Sequence, residues 1–474
     1  MEPCAASPLV TIPVEILEGI ASYLSGNDFG ALRLTCKAVE QMLFDQFARQ
    51  FFREMKFLMP GFRCPSSLRT LAEIAAHPTL SKSLQHVTLT TNPQVSWQFP
   101  LDDSFGRLPR AYPGSVLDLK PTDDFGHGFG AAGDDRPILA GIFSGLANLK
   151  TVSMRDTSLE NSWGYDNRPS RDDSQASEDP DMEQRYPPRF NDHVFAVTLA
   201  ALADACARPE TLDAWTNVYG GLNDFAFHIP SYLKPSLTPV LLSIRKLNLV
   251  LAFCYNERDT VASDGWVGCL CLRFISLAQN LLSLRLRFWG SCGGPSSTGF
   301  LACLGRRAGT TQLASCTDIQ GGGSTTCLLP MLQRLEMHYI EPGVPPAVLR
   351  DIVRKFSPTL RTLKLSRVRL LDERNPVDAR VNIWKPLLKS IARECSLTEW
   401  SFYQLAISFA VGSDTRSDFV FVDWPTPAPM PRGRDKHYAG YDASAKLEAA
   451  ADGMIGLWPR DRQCHDGEAP GTED

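Results

Sequence analysis

The chain of 474 residues is poor in the features that announce chemistry. It holds 13 cysteines but no C-x-x-C pair, and Cys269/Cys271 is only a C-x-C, so the paired thiolates of a zinc module are missing. Its eight histidines form no H-x-x-x-H or H-E-x-x-H pair, which excludes the helical zinc sites of metalloproteases. There is no G-x-S-x-G, hence no strained nucleophile turn. No apolar run approaches the roughly 18 residues of a membrane span. There is no basic excess either. Lys+Arg is 48 against Asp+Glu 53, a formal charge of −5, which argues against a strongly basic nucleic-acid binder. Cysteines odd in number and scattered, no N-x-[ST] sequon, and no basic-then-apolar leader together predict reduced thiols in an intracellular protein, cytoplasmic or nuclear. Neither a membrane nor a nucleic acid is expected as partner. No metal or other cofactor is expected.

Several near-motifs fail on their surroundings. Gly128-Phe129-Gly130-Ala131-Ala132-Gly133 spells G-x-G-x-x-G, but Asp123, Asp124, Asp134 and Asp135 place like charge where a phosphate needs amide N–H groups. That stretch reads as a loop. Cys292, in Gly290-Ser291-Cys292-Gly293-Gly294, has no neighbour to lower its thiol pKa. His86 and His338 read as surface residues. Asp102/Asp103 and Asp172/Asp173 read as solvated acids, since adjacent side chains do not converge on one substrate. No residue is assigned a catalytic role, so the protein is expected not to be an enzyme.

What is present begins at the N-terminus. Pro13 suits a first helical turn, and Ile16, Leu17, Ile20 and Leu24 follow at helical spacing. Ser25-Gly26 ends that helix, and Asn27 or Asp28 can cap the next. Phe29, Leu32 and Cys36 continue the apolar pattern, and Val39, Met42, Leu43 and Phe47 begin a third helix. Gly19 and Gly30 each cost a helix interior about 1 kcal/mol relative to Ala.

The ordered set Ile12-Pro13-x-Glu15-Ile16-Leu17, Tyr23-Leu24 and Leu32-Arg33-Leu34-Thr35-Cys36-Lys37 resembles an F-box. The resemblance covers residues 9–57. Ile12 stands where that family usually has Leu. It implies a three-helix module that docks a Skp-type adaptor, and through it cullin and RING subunits. It places the adaptor contact on Pro13, Ile16, Leu17, Ile20, Leu24, Leu32 and Cys36.

Downstream a pattern L-x-x-[LVW]-x-[LMF] recurs, as in Leu84/Val87/Leu89, Leu149/Val152/Met154, Ile244/Leu247/Leu249, Leu281/Leu284/Leu286, Leu332/Leu335/Met337, Leu360/Leu363/Leu365 and Leu397/Trp400/Phe402. Its last two apolar positions alternate with one polar residue, which is strand periodicity. Helical segments precede several copies: 68–76, 194–206, 270–279, 348–356 and 386–395. Helix followed by short strand, repeated, resembles leucine-rich repeats, although the spacing is wider and less even than the usual 20–29 residues or so. Leu212/Trp215 is a weak further copy. The expected class is therefore α/β: a three-helix F-box, then an irregular leucine-rich-repeat-like solenoid with parallel strands. That region spans 65–412 with insertions at about 155–190 and 290–325, and an extension at 413–474 is partly disordered.

Residues flanking the buried strand pairs share one face. They include the bases Arg155, Lys246, Arg285, Arg287, Arg334 and Lys364 and the acids Glu336 and Glu399, a net +4 on a chain of net −5. The expectation is that this face holds an acidic or phosphorylated target protein through Arg forks. The acidic stretch 166–185 of the chain itself competes for the same charge. The function implied is substrate recognition in a Skp–cullin–F-box type ubiquitin ligase. The alternative is a scaffold that binds the adaptor without ligase activity.

Overall fold

The computed structural model describes residues 8–59, 65–91, 132–156, 189–216, 221–252, 269–288, 295–306, 329–372, 382–409, 416–421 and 435–457. It is a mixed α/β structure built on one mostly parallel sheet.

Three helices open the chain: α1 (Val14–Ala21), α2 (Gly26–Arg33) and α3 (Lys37–Phe51). The N-cap of α2 is Ser25, whose Oγ accepts from the Asp28 N–H at 3.3 Å and donates to Asp28 Oδ2 at 2.6 Å. Expectation had put the cap at Asn27 or Asp28. Leu17, Ala21, Phe29, Val39 and Leu43 form a small core of their own. The rings of Phe29, Phe47 and Phe51 pack at centroid distances of 5.1–5.9 Å.

Only Phe52 and Arg53 separate α3 from β1 (Glu54–Met59). The sheet thus begins inside the segment expected to be purely helical. Phe52 packs on the sheet's core, 5.5 Å from Phe47, and Phe44 meets His77 at 5.3 Å. The helical unit and the sheet are therefore joined by side chains as well as by backbone.

Seven further parallel strands follow in sequential order: β2 (His86–Thr91), β3 (Thr151–Asp156), β4 (Thr211–Trp215), β5 (Lys246–Leu251), β6 (Ser283–Phe288), β7 (Arg334–Val344) and β8 (Thr362–Asp372). Then β9 (Glu399–Tyr403) and β10 (Ala406–Phe409) both pair with β8 in parallel. Each strand from β2 to β9 enters identically: one carbonyl of the preceding strand's lead-in accepts two successive N–H groups. Gln85 O takes Lys150 and Thr151, Arg245 O takes Leu282 and Ser283, and Arg361 O takes Thr398 and Glu399. A repeated sequence pattern gives a repeated backbone turn.

The pattern's apolar pairs line up in register. Val87, Val152, Leu212, Leu247, Leu284, Leu335, Leu363 and Trp400 make one ladder across the sheet, and the residues two further along make a second. Period-2 alternation sends both ladders to one face. There they pack against α4 (Pro65–Ala76), α5 (Leu80–Ser83), α6 (Ala132–Gly145), α7 (Arg189–Asp204), α8 (Lys234–Ser243), α9 (Cys269–Leu277), α10 (Pro295–Gly305), α11 (Pro346–Phe356) and α12 (Trp384–Glu394). Gly145 allows the close approach of α6 to α4, since a Cβ there would lie 2.7 Å from the Ala75 carbonyl oxygen.

Pro295–Gly305 is helical, although Gly, Ser and Thr around it pointed to a flexible excursion. In the C-terminal extension, β11 (Arg416–Phe421), β12 (Asp435–Ala439) and β13 (Met454–Leu457) add to the sheet, and α13 (Ala443–Asp452) covers the stretch 443–451 that suits one last helix. Trp400 Nε1 donates to the Ala443 carbonyl at 2.8 Å, which ties α13 to the core. The glycine motif is only partly described: residues 128–131 lie outside the described residues, and α6 begins at Ala132. The acidic stretch 166–185, Cys292, Asp102/Asp103 and Asp172/Asp173 also lie outside them. No helix among the described residues is long and apolar enough to cross a membrane.

Candidate interaction surfaces

Helix α1 carries two apolar stripes. Leu17 and Ala21 point inward and are 1% and 0% exposed. Ile16 and Ile20 stand at i and i+4 on another side, 57% and 47% exposed, and Tyr23, in the turn just past the helix, is 91% exposed. Pro13 is exposed just before the helix begins.

The expected adaptor contacts therefore divide. Pro13, Ile16 and Ile20 are on the surface. Leu17 is in the core of the unit, and Leu24, Leu32 and Cys36 are half-buried against that same core. Leu17 is thus corrected to a structural residue, because a fully covered side chain cannot also meet a partner. Tyr23 and Val14 were missed as surface apolar positions.

Three glycines lie on this unit; at Gly26 a Cβ would press on the Phe51 ring at 3.1 Å, and the other two are different. A Cβ at Gly19 or Gly30 would meet nothing within 4 Å. Neither packing within the chain nor a left-handed backbone requires a glycine at these sites. Gly19 sits one turn from Ile16 and Tyr23, on the outward stripe.

The second surface is the polar face of the sheet, opposite the apolar ladders. All six expected bases are on it, because they alternate with ladder residues. Register aligns Ser153, Asp213, Asn248, Arg285, Glu336, Lys364 and Ser401 in one row. The charge on this row is largely answered from within. Arg155 pairs with Asp213. Glu336 receives Arg334 at 2.6 Å and Arg285 at 3.1 Å. Lys364 meets Glu399 at 2.6 Å. Asp213 escaped the sequence reading: the buried pair in β4 is Leu212 and Ala214, so Trp215 and Asp213 both turn to the polar face.

Burial pushes the Glu336 carboxyl up, but His338, Arg285 and Arg334 outweigh it and hold the pKa at about 2. Burial pushes Asp213 up, against the pull of Arg155 and a hydrogen bond from Asn248. His338 is not the surface residue expected. Its side chain is 12% exposed, and burial lowers its pKa. Its Nε2 lies 3.2 Å from Arg285 Nε and 3.6 Å from Glu336 Oε2, which joins the ring to the same charged cluster.

Aromatic rings interleave with the guanidiniums. Arg285 lies over Trp215 at 4.0 Å, Arg287 over Tyr339 at 4.4 Å, and Arg367 over the same Tyr339 ring at 4.8 Å. Tyr339, Arg367 and Gln404 all have left-handed φ, at 57°, 55° and 49°. They follow His338, Ser366 and Tyr403, which are register partners. At each site two consecutive residues therefore stay half-buried on the polar side before Ile340, Val368 and Leu405 return to the core. Tyr339 and Arg367 stand at one height, so pairing continues from Ile340 to Val368, while Gln404 lies just past the end of β9.

No described group of three or more His, Cys, Asp or Glu side chains is placed to hold a metal ion. Burial raises the pKa of Cys271 well above its usual range and that of Cys395 to about 12, so these thiols are packing groups. No protein-family model and no curated protein matches the chain.

Proposed function

We infer that residues 9–57 are an F-box and that the sheet is an irregular leucine-rich-repeat-like solenoid. The chain then acts as the substrate-recognition subunit of a Skp–cullin–F-box type ubiquitin ligase. The helical unit docks the adaptor, the polar face holds a target protein, and the chain itself makes or breaks no bond. The observation that carries this reading is the outward stripe of Pro13, Ile16, Ile20 and Tyr23 on a unit whose own core is already closed. An apolar row left in water by a small folded unit is the mark of a docking surface. Gly19, where the chain itself needs no glycine, lets a partner approach the helix backbone.

The test is co-purification of the full chain with a Skp-type adaptor and a cullin. The double variant Ile16→Asp/Ile20→Asp is expected to lose the adaptor with its thermal melting unchanged, since both side chains are at the surface. Retained adaptor in that variant sinks the reading. Adaptor captured without cullin by the unmodified chain favours a scaffold that binds the adaptor without ligase activity.

A further inference from the structure

At the centre of the polar face one guanidinium is shared among several neighbours. Arg285, on β6, holds Glu336 Oε2 of β7 at 3.1 Å and His338 Nε2 at 3.2 Å, and lies over the Trp215 ring of β4 at 4.0 Å. Trp215 also meets the His338 ring edge-on at 5.9 Å. β4 and β7 are three steps apart in the sheet, about 14 Å at the usual strand spacing, so the two rings meet only by lying along the sheet. Val250 of β5, which stands on this face between them, is fully buried. The remaining charged groups around His338 are Arg287 from β6 and Glu336 on its own strand. β8 brings Ser366 in register, Lys364 held by Glu399 of β9, and Arg367 over the Tyr339 ring.

The row that carries Arg285 holds a second carboxylate. Asp213 stands on β4, in line with Asn248 and Arg285. Its Oδ2 takes Arg155, and its Oδ1 is buried with no hydrogen-bond partner among the described residues. Burial raises the Asp213 pKa, while Arg155, Asn248 and Arg285 pull it down, so Arg285 already acts on this carboxylate by charge. Arg285 therefore stands between a carboxylate it has paired and one with an acceptor to spare.

We propose that Arg285 is a two-position latch with His338 as its acid-sensitive trigger, so that protonating the ring moves the guanidinium from Glu336 to Asp213. A doubly protonated ring sets N–H against N–H across the 3.2 Å gap to Arg285 and brings a second donor to Glu336 Oε2, which lies 3.6 Å away. The ring then takes Glu336 Oε2, Arg334 keeps Oε1 at 2.6 Å, and Arg285 slides along the indole to Asp213 Oδ1. Each carboxylate faces two cations in the acid position, so no buried charge is left unpaired. Burial holds the His338 pKa below the ordinary imidazole value of about 6.5, which puts the change in mildly acid solution. Acid thus adds one positive charge to the face and moves another toward β4. A ligand seated there is held differently on the two sides of the transition. The latch belongs to the sheet alone and does not rest on the adaptor reading.

The experiment is fluorine NMR of the full chain labelled with fluorotryptophan. Of its nine tryptophans, Trp215 is assigned as the signal missing from Trp215→Phe. As the pH is lowered from about 7.5 to about 5, that signal is expected to move in one transition centred below about 6.5. In His338→Gln it is expected to keep its neutral position throughout. Asp213→Asn keeps the histidine but removes the charge that receives Arg285, and it is expected to lose most of the displacement. Circular dichroism checks the fold of each variant and of the chain at each pH. A Trp215 signal that stays still in the folded chain overturns the proposal, and so does a transition that survives His338→Gln. A full displacement in Asp213→Asn means that the indole only feels the charge of the histidine, and it too overturns the latch. Where one variant does not fold, the other decides. Adaptor capture is read separately and bears on neither outcome.

Discussion

The helical unit and the sheet handle exposed surface in opposite ways. The unit closes a core of five buried residues and leaves Ile16, Ile20 and Tyr23 in water. The sheet covers its apolar ladders from β2 to β9 and answers most of the charge on its polar face from within. Both are partner surfaces on our reading, but they recognise differently. The first gains apolar burial from almost any complementary groove. The second has to offer a ligand better partners than its own side chains already provide, which favours selectivity over strength.

The sharpest way to break this comparison is to remove a core side chain from each region. Phe29→Ala and Leu286→Ala each cost about 3–5 kcal/mol by the usual cavity arithmetic. The small unit has little to absorb such a loss and is expected to unfold locally, while the sheet stays folded at a lower melting temperature. Hydrogen exchange resolved by segment reads the difference. Equal loss of protection in both regions would mean that they fold as one.

A second test concerns the internal pairing of the polar face. Glu336→Gln leaves Arg285 and Arg334 without their carboxylate and is expected to cost about 3 kcal/mol. The same pairing sets an acid limit. The folded pKa of Glu336 lies near 2, below its unfolded value. Its contribution is therefore complete above the unfolded pKa and lost as pH falls through the folded one. His338, whose folded pKa is also lowered, adds a loss as pH falls below its unfolded value of about 6.5. Urea melts from pH 7 to pH 3 are expected to show falling stability, less steeply in Glu336→Gln. Parallel slopes would mean that Glu336 is not the group responsible.

The smallest effect separates folding from docking. Gly19→Ala is expected to stabilise the helical unit by up to about 1 kcal/mol and yet weaken adaptor capture, because a methyl is added to the outward stripe. Tighter capture would show that Gly19 is merely a weak helix residue.

Much of the fold is legible in the sequence because its ladders are spelled with large apolar residues at strand period. β4 was nearly lost because Ala214 is too small to announce a buried position. β1 follows α3 so closely that its Met55 and Phe57 read as a continuation of the helix pattern. The strands β12 and β13 owe their place to pairing with β9 and β11, partners that no local window contains, whereas β11 also pairs with nearby β10. On α1 the sequence shows Ile16, Leu17, Ile20 and Leu24 as one apolar stripe, and only the position of α3 divides it into a buried Leu17 and an exposed Ile16 and Ile20. The positive φ of Tyr339 and Arg367 has no sequence mark either, since these residues seldom adopt that backbone.

The junction at Phe52 and Arg53 has a geometric consequence. Arg53 O accepts the Gln85 and His86 N–H groups at 2.9 and 3.0 Å, so the last link before the sheet is already part of its hydrogen-bonded lattice. With so little chain between the two regions, and with Phe52 packed on the sheet's core and Phe44 on His77, the link is braced by side chains as well as by backbone. On the proposed reading, an adaptor on the outward stripe of α1 and a target on the polar face would then be carried by one braced frame.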